Sequence, residues 1–264
     1  MTGAVDISIP QLALASLLLL VAIGLSAALR LGLTRGLAVA ATRMVVQLAL
    51  VGLVLDWVFA TENPAVVLAL AVGMALLAGH AAVRRTSRRF AGVWLDALVS
   101  VLGASFVVTG AAVLGVLRIE PWYDPQYVIP LHGMLLGNAL TGISLSLDRF
   151  MEGAARERGL VDARLALGAT RWEAARPLVR DAVRTGLVPI TNSMAVMGVV
   201  SLPGMMTGQI LAGAAPADAV RYQILIVFMI AACVALAALG VVGLAYRRLF
   251  TADHRFHPGR LREA

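Results

Sequence analysis

The residues best equipped for chemistry lie late in the chain. Met194, Met197, Met205 and Met206 crowd into one short stretch, and their soft thioethers suit transient contact with a transition metal. Methionine is equally an adaptable filler of irregular gaps, so the residue type leaves both uses open. Among them Pro203, Gly204, Gly208 and Gly213 interrupt any helical pattern. Such a break is tolerated in a membrane where the freed backbone groups face protein or a wet cavity. The stretch 203–218 is therefore either a broken, re-entrant helix lining a pathway or an ordinary outer turn. Further back, Arg43 and Gln47 stand one helical turn apart on one face. Arg43 either snorkels to headgroups or lines a pathway, and Gln47 is suited to a hydrogen bond between helices. His132, Asn138 and Thr141 spread around a helix instead of forming a stripe, and His132 is open to a metal, a proton or a structural hydrogen bond. Asp56, Asp96 and His80 fall near span ends, where ordinary solvation suffices.

Other chemistry is excluded by what is missing. The sequence has no nucleophile elbow, no HExxH and no dense cluster of His, Cys or carboxylates at ligand spacing, so it reads as a non-enzyme. All 22 basic residues are arginine. A phosphate-binding loop of the usual form needs a lysine, so nucleotide energy, if used, must be bound by another polypeptide. The lone Cys233 permits no internal disulfide and reads as packing.

Lipid must solvate most of the elements that carry these residues. The chain is 60% apolar and 14% charged, with a mean hydropathy of +0.86, far from the balance of a soluble domain. Continuous apolar runs near 9–29, 37–60, 64–83, 94–117, 127–147, 185–202 and 219–246 each approach the ~20 residues that cross a bilayer. They imply an all-α integral membrane protein of seven transmembrane helices, since a barrel would alternate with period two. Connections rich in arginine (30–36, 84–90, 148–184, 247–264) alternate with poor ones, which puts the N-terminus outside and the C-terminus in the cytoplasm. Asp6 precedes the first run and Arg30 follows it, the reverse of a secretory signal, so that run is expected to be retained as a span. Small residues such as Gly24, Ser26, Ala27 and Ala28 suit close helix packing there. The net charge of +7 and isoelectric point near 10.9 fit anionic lipid headgroups or an acidic partner surface better than nucleic acid.

The connection 148–184 carries eight arginines. Leu165, Ala169, Trp172 and Val179 recur at helical spacing, with Arg164, Arg171, Glu173, Arg180 and Asp181 falling elsewhere, so one or two amphipathic helices meet at Gly168. Periodicity leaves two roles open: a segment lying on the bilayer with Trp172 at the interface, or an element that docks on a partner.

Asp162-Ala163-Arg164, three residues, then Gly168 and Ala169-Thr-Arg-Trp172-Glu-Ala resembles the EAA loop of ABC transporter permeases, with Asp162 standing for the usual Glu and Arg164 for the second Ala. Pro189, Asn192, the run Ser201-Leu-Pro-Gly-Met-Met-Thr-Gly-Gln-Ile-Leu-Ala-Gly213, and Pro216, Ala219 and Arg221-Tyr-Gln-Ile are similar to the Fet-type iron-export permeases, a family that includes plant aluminium-tolerance permeases. The resemblance covers roughly 130–250. It implies one permease domain over 1–250 with a cytoplasmic tail at 251–264, in the cytoplasmic (inner) membrane. It further implies a homodimer working with two copies of a separate ATPase that holds ATP and Mg, and exporting metal ions, iron foremost. Asp162, Ala163, Leu167, Gly168, Ala169 and Trp172 would form the ATPase-coupling loop. Arg43, Gln47, His132, Asn138, Pro203, Gly204, Met205, Met206, Thr207, Gln209, Tyr222 and Gln223 would be the pathway candidates, with Met205 and Met206 as metal contacts. Competing readings are a gradient-driven secondary transporter or channel, which should carry a midspan carboxylate that this chain lacks, and an ABC permease for a non-metal substrate such as a nucleotide sugar.

Overall fold

A computed structural model describes residues 7–61 and 63–263. The described chain is helical almost throughout: α1 (Ile9–Ala28), α2 (Thr34–Thr61), α3 (Pro64–Arg84), α4 (Val93–Gly110), α5 (Pro125–Arg156), α6 (Arg158–Ala166), α7 (Arg171–Val196), α8 (Gly204–Leu211) and α9 (Pro216–Leu249). A π-helical turn over Ala111–Val116 continues α4. Six of these helices are long and apolar enough to cross a membrane.

The expected sixth span, 185–202, is the exception. It is the second half of α7, which begins inside the charged connection and stops at Val196. Its apolar part runs only ~18 Å at 1.5 Å per residue, short of a ~30 Å hydrocarbon core. The chain then turns through Gly198 (φ 84°) and resumes as the short α8. Gly208 sits inside α8 without breaking it, and Gly213 (φ 98°) closes the turn after it.

Helices α5 and α9 form the axis of the bundle, each packed against α4 and α7, with α3 against α4 and α5. The core is dominated by small and branched side chains, with Ile143, Leu147, Phe150, Ala237 and Val241 fully buried. Closest approach is set by glycines: a Cβ on Gly186 of α7 would lie 2.7 Å from the Gly142 carbonyl of α5, and one on Gly142 would lie 2.6 Å from Val234 of α9. The small residues of α1 play no such part, since Gly24 has open space around it and Ser26 alone is buried in that helix. Helices α1 and α2 pair with each other but bury little else, Val58 being the only buried residue of α2.

At the charged end, helix propensity carries α5 and α7 well past the apolar runs. Most of 148–184 is therefore helix, and the connection proper is a tight elbow. The residues after α9 are tied down as well. Phe250 and Phe256 stack at 4.8 Å, both buried, and Arg262–Glu263 pairs antiparallel with Arg88–Arg89.

Candidate functional site: a methionine-lined cavity and a charged elbow

Helix α8 packs on α9, and a cavity opens on either side of their contact. One, of about 500 Å³, is lined by Met194, Met197, Met206, Pro203 and Gln223 among others. Gln223 is 8% exposed and its Oε1 has no hydrogen-bond partner. The other, also of about 500 Å³, is lined by Met134, Met205, Gln209, Tyr222 and Tyr127, and there the Gln209 Oε1 is unpartnered and buried. A buried amide oxygen without a donor costs free energy, so two of them at adjoining cavities mark places where a ligand or water completes the bonding. The donor set is neutral throughout: amide oxygens, phenols and thioethers. It suits a weakly held, partly dehydrated cation better than a permanent metal centre. Among the described residues no group of three or more His, Cys, Asp or Glu is placed to hold a metal.

The sequence candidates divide accordingly. Pro203, Met205, Met206, Gln209, Tyr222 and Gln223 line the two cavities. Thr207 and Gly204 do not; the Thr207 hydroxyl donates to the Pro203 carbonyl at 3.1 Å, inside its own helix. Asn138 is exposed and donates to the Met134 carbonyl. His132 is buried elsewhere on α5, its Nδ1 2.9 Å from the Thr109 hydroxyl, its ring edge-on to Phe106, and its Nε2 unpartnered. Arg43 and Gln47 are exposed on α2, away from both cavities. Tyr127 and Met134 line the second cavity and were not singled out by sequence, because nothing in the pattern of α5 separates them from ordinary lipid-facing or core positions.

Asp96 departs from its expected ordinary solvation. It is 3% exposed and takes two hydrogen bonds from Arg248, Nε to Oδ2 at 2.6 Å and Nη2 to Oδ1 at 2.7 Å. The partner lies 152 residues away in sequence, which no spacing rule reveals. His80 stacks on Trp94 at 4.5 Å.

At the other end α6 closes in a Schellman turn: Ala169 N–H donates to the Arg164 carbonyl and Gly168 N–H to that of Leu165. The turn requires the left-handed backbone at Gly168 (φ 90°), which glycine adopts freely. Thr170 and Glu173 then form a capping box that starts α7, the Glu173 carboxylate accepting from the Thr170 N–H and hydroxyl at 2.8 Å. These bonds hold the Glu173 carboxyl below its ordinary range, with His254 adding a smaller pull. The result is a short, rigid elbow with Leu167 at its tip, 89% exposed, and Trp172 half-exposed beside Tyr246. Asp162 pairs with Arg158 on α6, Ala163 is exposed and Ala169 is half-buried after the turn. Beneath it, Ser87 donates to Asp148 and Arg88 to Glu152, binding the α3–α4 connector to the projecting end of α5.

Six apolar helices of spanning length, open clefts on either flank of α8 and a charged, jointed end define a multi-pass helical membrane protein. More particularly, the chain belongs to the family described as uncharacterised protein family (UPF0014), which matches residues 9–250. It is 40% identical to the UPF0014 membrane protein slr1647 of Synechocystis sp., over 83% of this chain and 85% of that one. It is 31% identical to the Escherichia coli protein named probable iron export permease protein FetB, over 95% of each chain. It is 30% identical to the protein ALUMINUM SENSITIVE 3 of Arabidopsis thaliana, over 90% of this chain and 86% of that one. The expected kinship with Fet-type and plant aluminium-related permeases is thereby borne out. No solved structure matches the chain.

Proposed function

We propose that this chain is the membrane subunit of an ABC transporter that moves metal ions, iron foremost, outward across the cytoplasmic membrane with energy from a separate ATPase that holds ATP and Mg. The observation that carries the reading is the elbow at Gly168. It is rigid, exposed at Leu167, and continuous through α7 with the methionines that line the cavity beside α8. A push on such an elbow travels along one helix to the cavity, past the helix-interior Pro177 and Pro189. Relatedness to FetB supports metal as cargo, and the neutral thioether and amide lining suits a cation that must leave again.

The arrangement proposed is a homodimer with two ATPase copies, the N-terminus outside, the arginine-rich connections and the tail inside, and α7 with α8 together forming the sixth pass. Dimerisation is supported by Arg43 and Gln47. Both are exposed on a helix of spanning length, and among the described residues neither side chain has a hydrogen-bonded partner. Polar groups at that depth are expensive against lipid, and a second copy would cover them.

ATP binding would close the ATPase dimer, and differing contacts with the elbow before and after closure would shift the permease between two states. Gly168→Trp tests the coupling. A Cβ there meets nothing within 4 Å but is strained at φ 90°, so the elbow should be distorted locally while the bundle, whose core lies elsewhere, still assembles, and metal uptake into inverted vesicles with ATP is lost. Unchanged uptake at equal protein level counts against the elbow. Full-rate metal transport by the purified chain in nucleotide-free liposomes would sink the ATPase partnership altogether.

A further inference from the structure

We infer that the outer face of α7, where it runs beside α9, is a binding site for an anionic phospholipid whose headgroup carries more than one negative charge. Arg176, Arg180 and Arg184 follow one another at four-residue intervals along this face, all exposed. Among the described residues none of the three makes an ion pair or a side-chain hydrogen bond; the neighbouring Asp181 is already taken by Arg149. Four residues of helix rise ~6 Å, so the three guanidinia form a ladder ~12 Å long, which suits two phosphates better than one.

The same face continues into a groove of about 790 Å³ that begins at Trp172 and the arginines, runs on past Val183, Leu187, Val188 and Leu239, and ends at Thr191 and Asn192. Cations at one end and a mainly apolar middle beyond them match a phospholipid with its phosphates on the ladder and the first part of an acyl chain in the groove. A small free anion would leave the channel unused. The changeover falls where α7 passes from its charged half to its apolar half, the level at which headgroups give way to hydrocarbon. A lipid held there would touch the elbow at one end and the helix leading to the cavity at the other. The inference does not depend on the ATPase partnership.

The test uses the full chain purified in detergent and loaded with diphosphatidylglycerol, phosphatidylglycerol, phosphatidylcholine or inorganic pyrophosphate, with retention read by native mass spectrometry. Diphosphatidylglycerol should be retained at least about tenfold better than phosphatidylcholine, as expected for a basic pocket between membrane helices. Arg176→Gln/Arg180→Gln/Arg184→Gln should abolish that preference, whereas Arg158→Gln/Arg221→Gln, elsewhere on the surface, should keep it. If the triple variant does not assemble, Arg180→Gln should weaken retention and Arg180→Lys should restore most of it. Equal retention by wild type and triple variant overturns the inference. So does displacement of lipid by millimolar pyrophosphate, which would mark a free-anion site. A change in protomer number with lipid preference intact overturns it too, since the face would then be a subunit interface.

Discussion

Asp96 makes the strictest demand of any single side chain. A carboxylate this buried must be neutralised, and Arg248 does so in a bidentate grip while its guanidinium lies against Gly92, where a Cβ would come within 2.7 Å of the Arg248 Cζ. Removing one partner of such a pair leaves the other charge stranded. Arg248→Ala, which strands the buried Asp96, should therefore lower stability by about 3 kcal/mol, measurable as a lowered thermal midpoint in detergent, whereas Asp96→Ala leaves a partly exposed guanidinium and should cost less. Gly92→Ala should act in the same direction, because it strains a positive-φ position and displaces the same guanidinium. Glu173 gives a pH-dependent counterpart. Its folded-state pKa lies below the unfolded value of 4.5, so what it adds to the start of α7 is fully present above that pH and disappears as pH falls through the lower, folded value. Hydrogen exchange of the first α7 amides, corrected for intrinsic rates, should rise below about pH 4.5 in the wild type, and Glu173→Gln should remove that acid step. Gly168 and the amphipathic pattern around it were legible in sequence because turn chemistry is local. The Asp96–Arg248 pair was hidden because its two halves lie 152 residues apart in sequence, on α4 and α9.

At the level of elements, the contact between α5 and α7 is the most sensitive joint. Gly142 and Gly186 bring two backbones together, and the atom that an added Cβ on Gly186 would strike is a carbonyl oxygen that cannot move aside. Gly186→Ala should cost about 2 kcal/mol by overpacking and Gly186→Leu should prevent assembly. Gly103→Ala, on α4 with open space around it, should be neutral or mildly stabilising, as expected for alanine over glycine in a helix. Thermal unfolding of the two alanine variants beside wild type, with the yield of assembled protein for Gly186→Leu, checks the contrast. Apolar runs made the six long helices readable, since hydropathy over ~20 residues is a strong signal. Their ends were not readable where helix outlasts the membrane. Hydropathy stops at the headgroups, but the hydrogen-bond ladder of α5 continues to Arg156 and that of α7 begins at Arg171. The expected tight packing at Gly24–Ala28 also failed to appear, because small residues permit close approach without saying which helix approaches, and α1 packs chiefly on α2 with open space around Gly24.

Over the whole molecule, the residues after α9 work as a clasp. Phe256 stacks on Phe250, which lies against Tyr246 and through it Trp172; His254 Nδ1 accepts the Arg171 N–H at the start of α7; Arg260 donates to the Arg248 carbonyl; and Arg262–Glu263 adds a strand to the α3–α4 connector. The tail thus joins the elbow, the Asp96–Arg248 pair and the connector that grips α5. A composition-based reading saw only a short basic tail, since the aromatic chain becomes visible once α7 and α9 stand side by side. Truncation after Phe250 should raise hydrogen exchange at residues 158–174 and 86–92 while leaving the middle of α5 and α9 protected, because the core there is built without the tail. Phe256→Ala should produce the same pattern more weakly, at a cost of about 2–3 kcal/mol for an emptied, mostly buried aromatic site. If the elbow keeps its protection in both variants, the clasp is decorative and the rigidity of the elbow comes from its Schellman turn and capping box alone. If protection falls there and nowhere else, the tail sets how stiffly the elbow meets a partner, and coupling should weaken in proportion to the exchange.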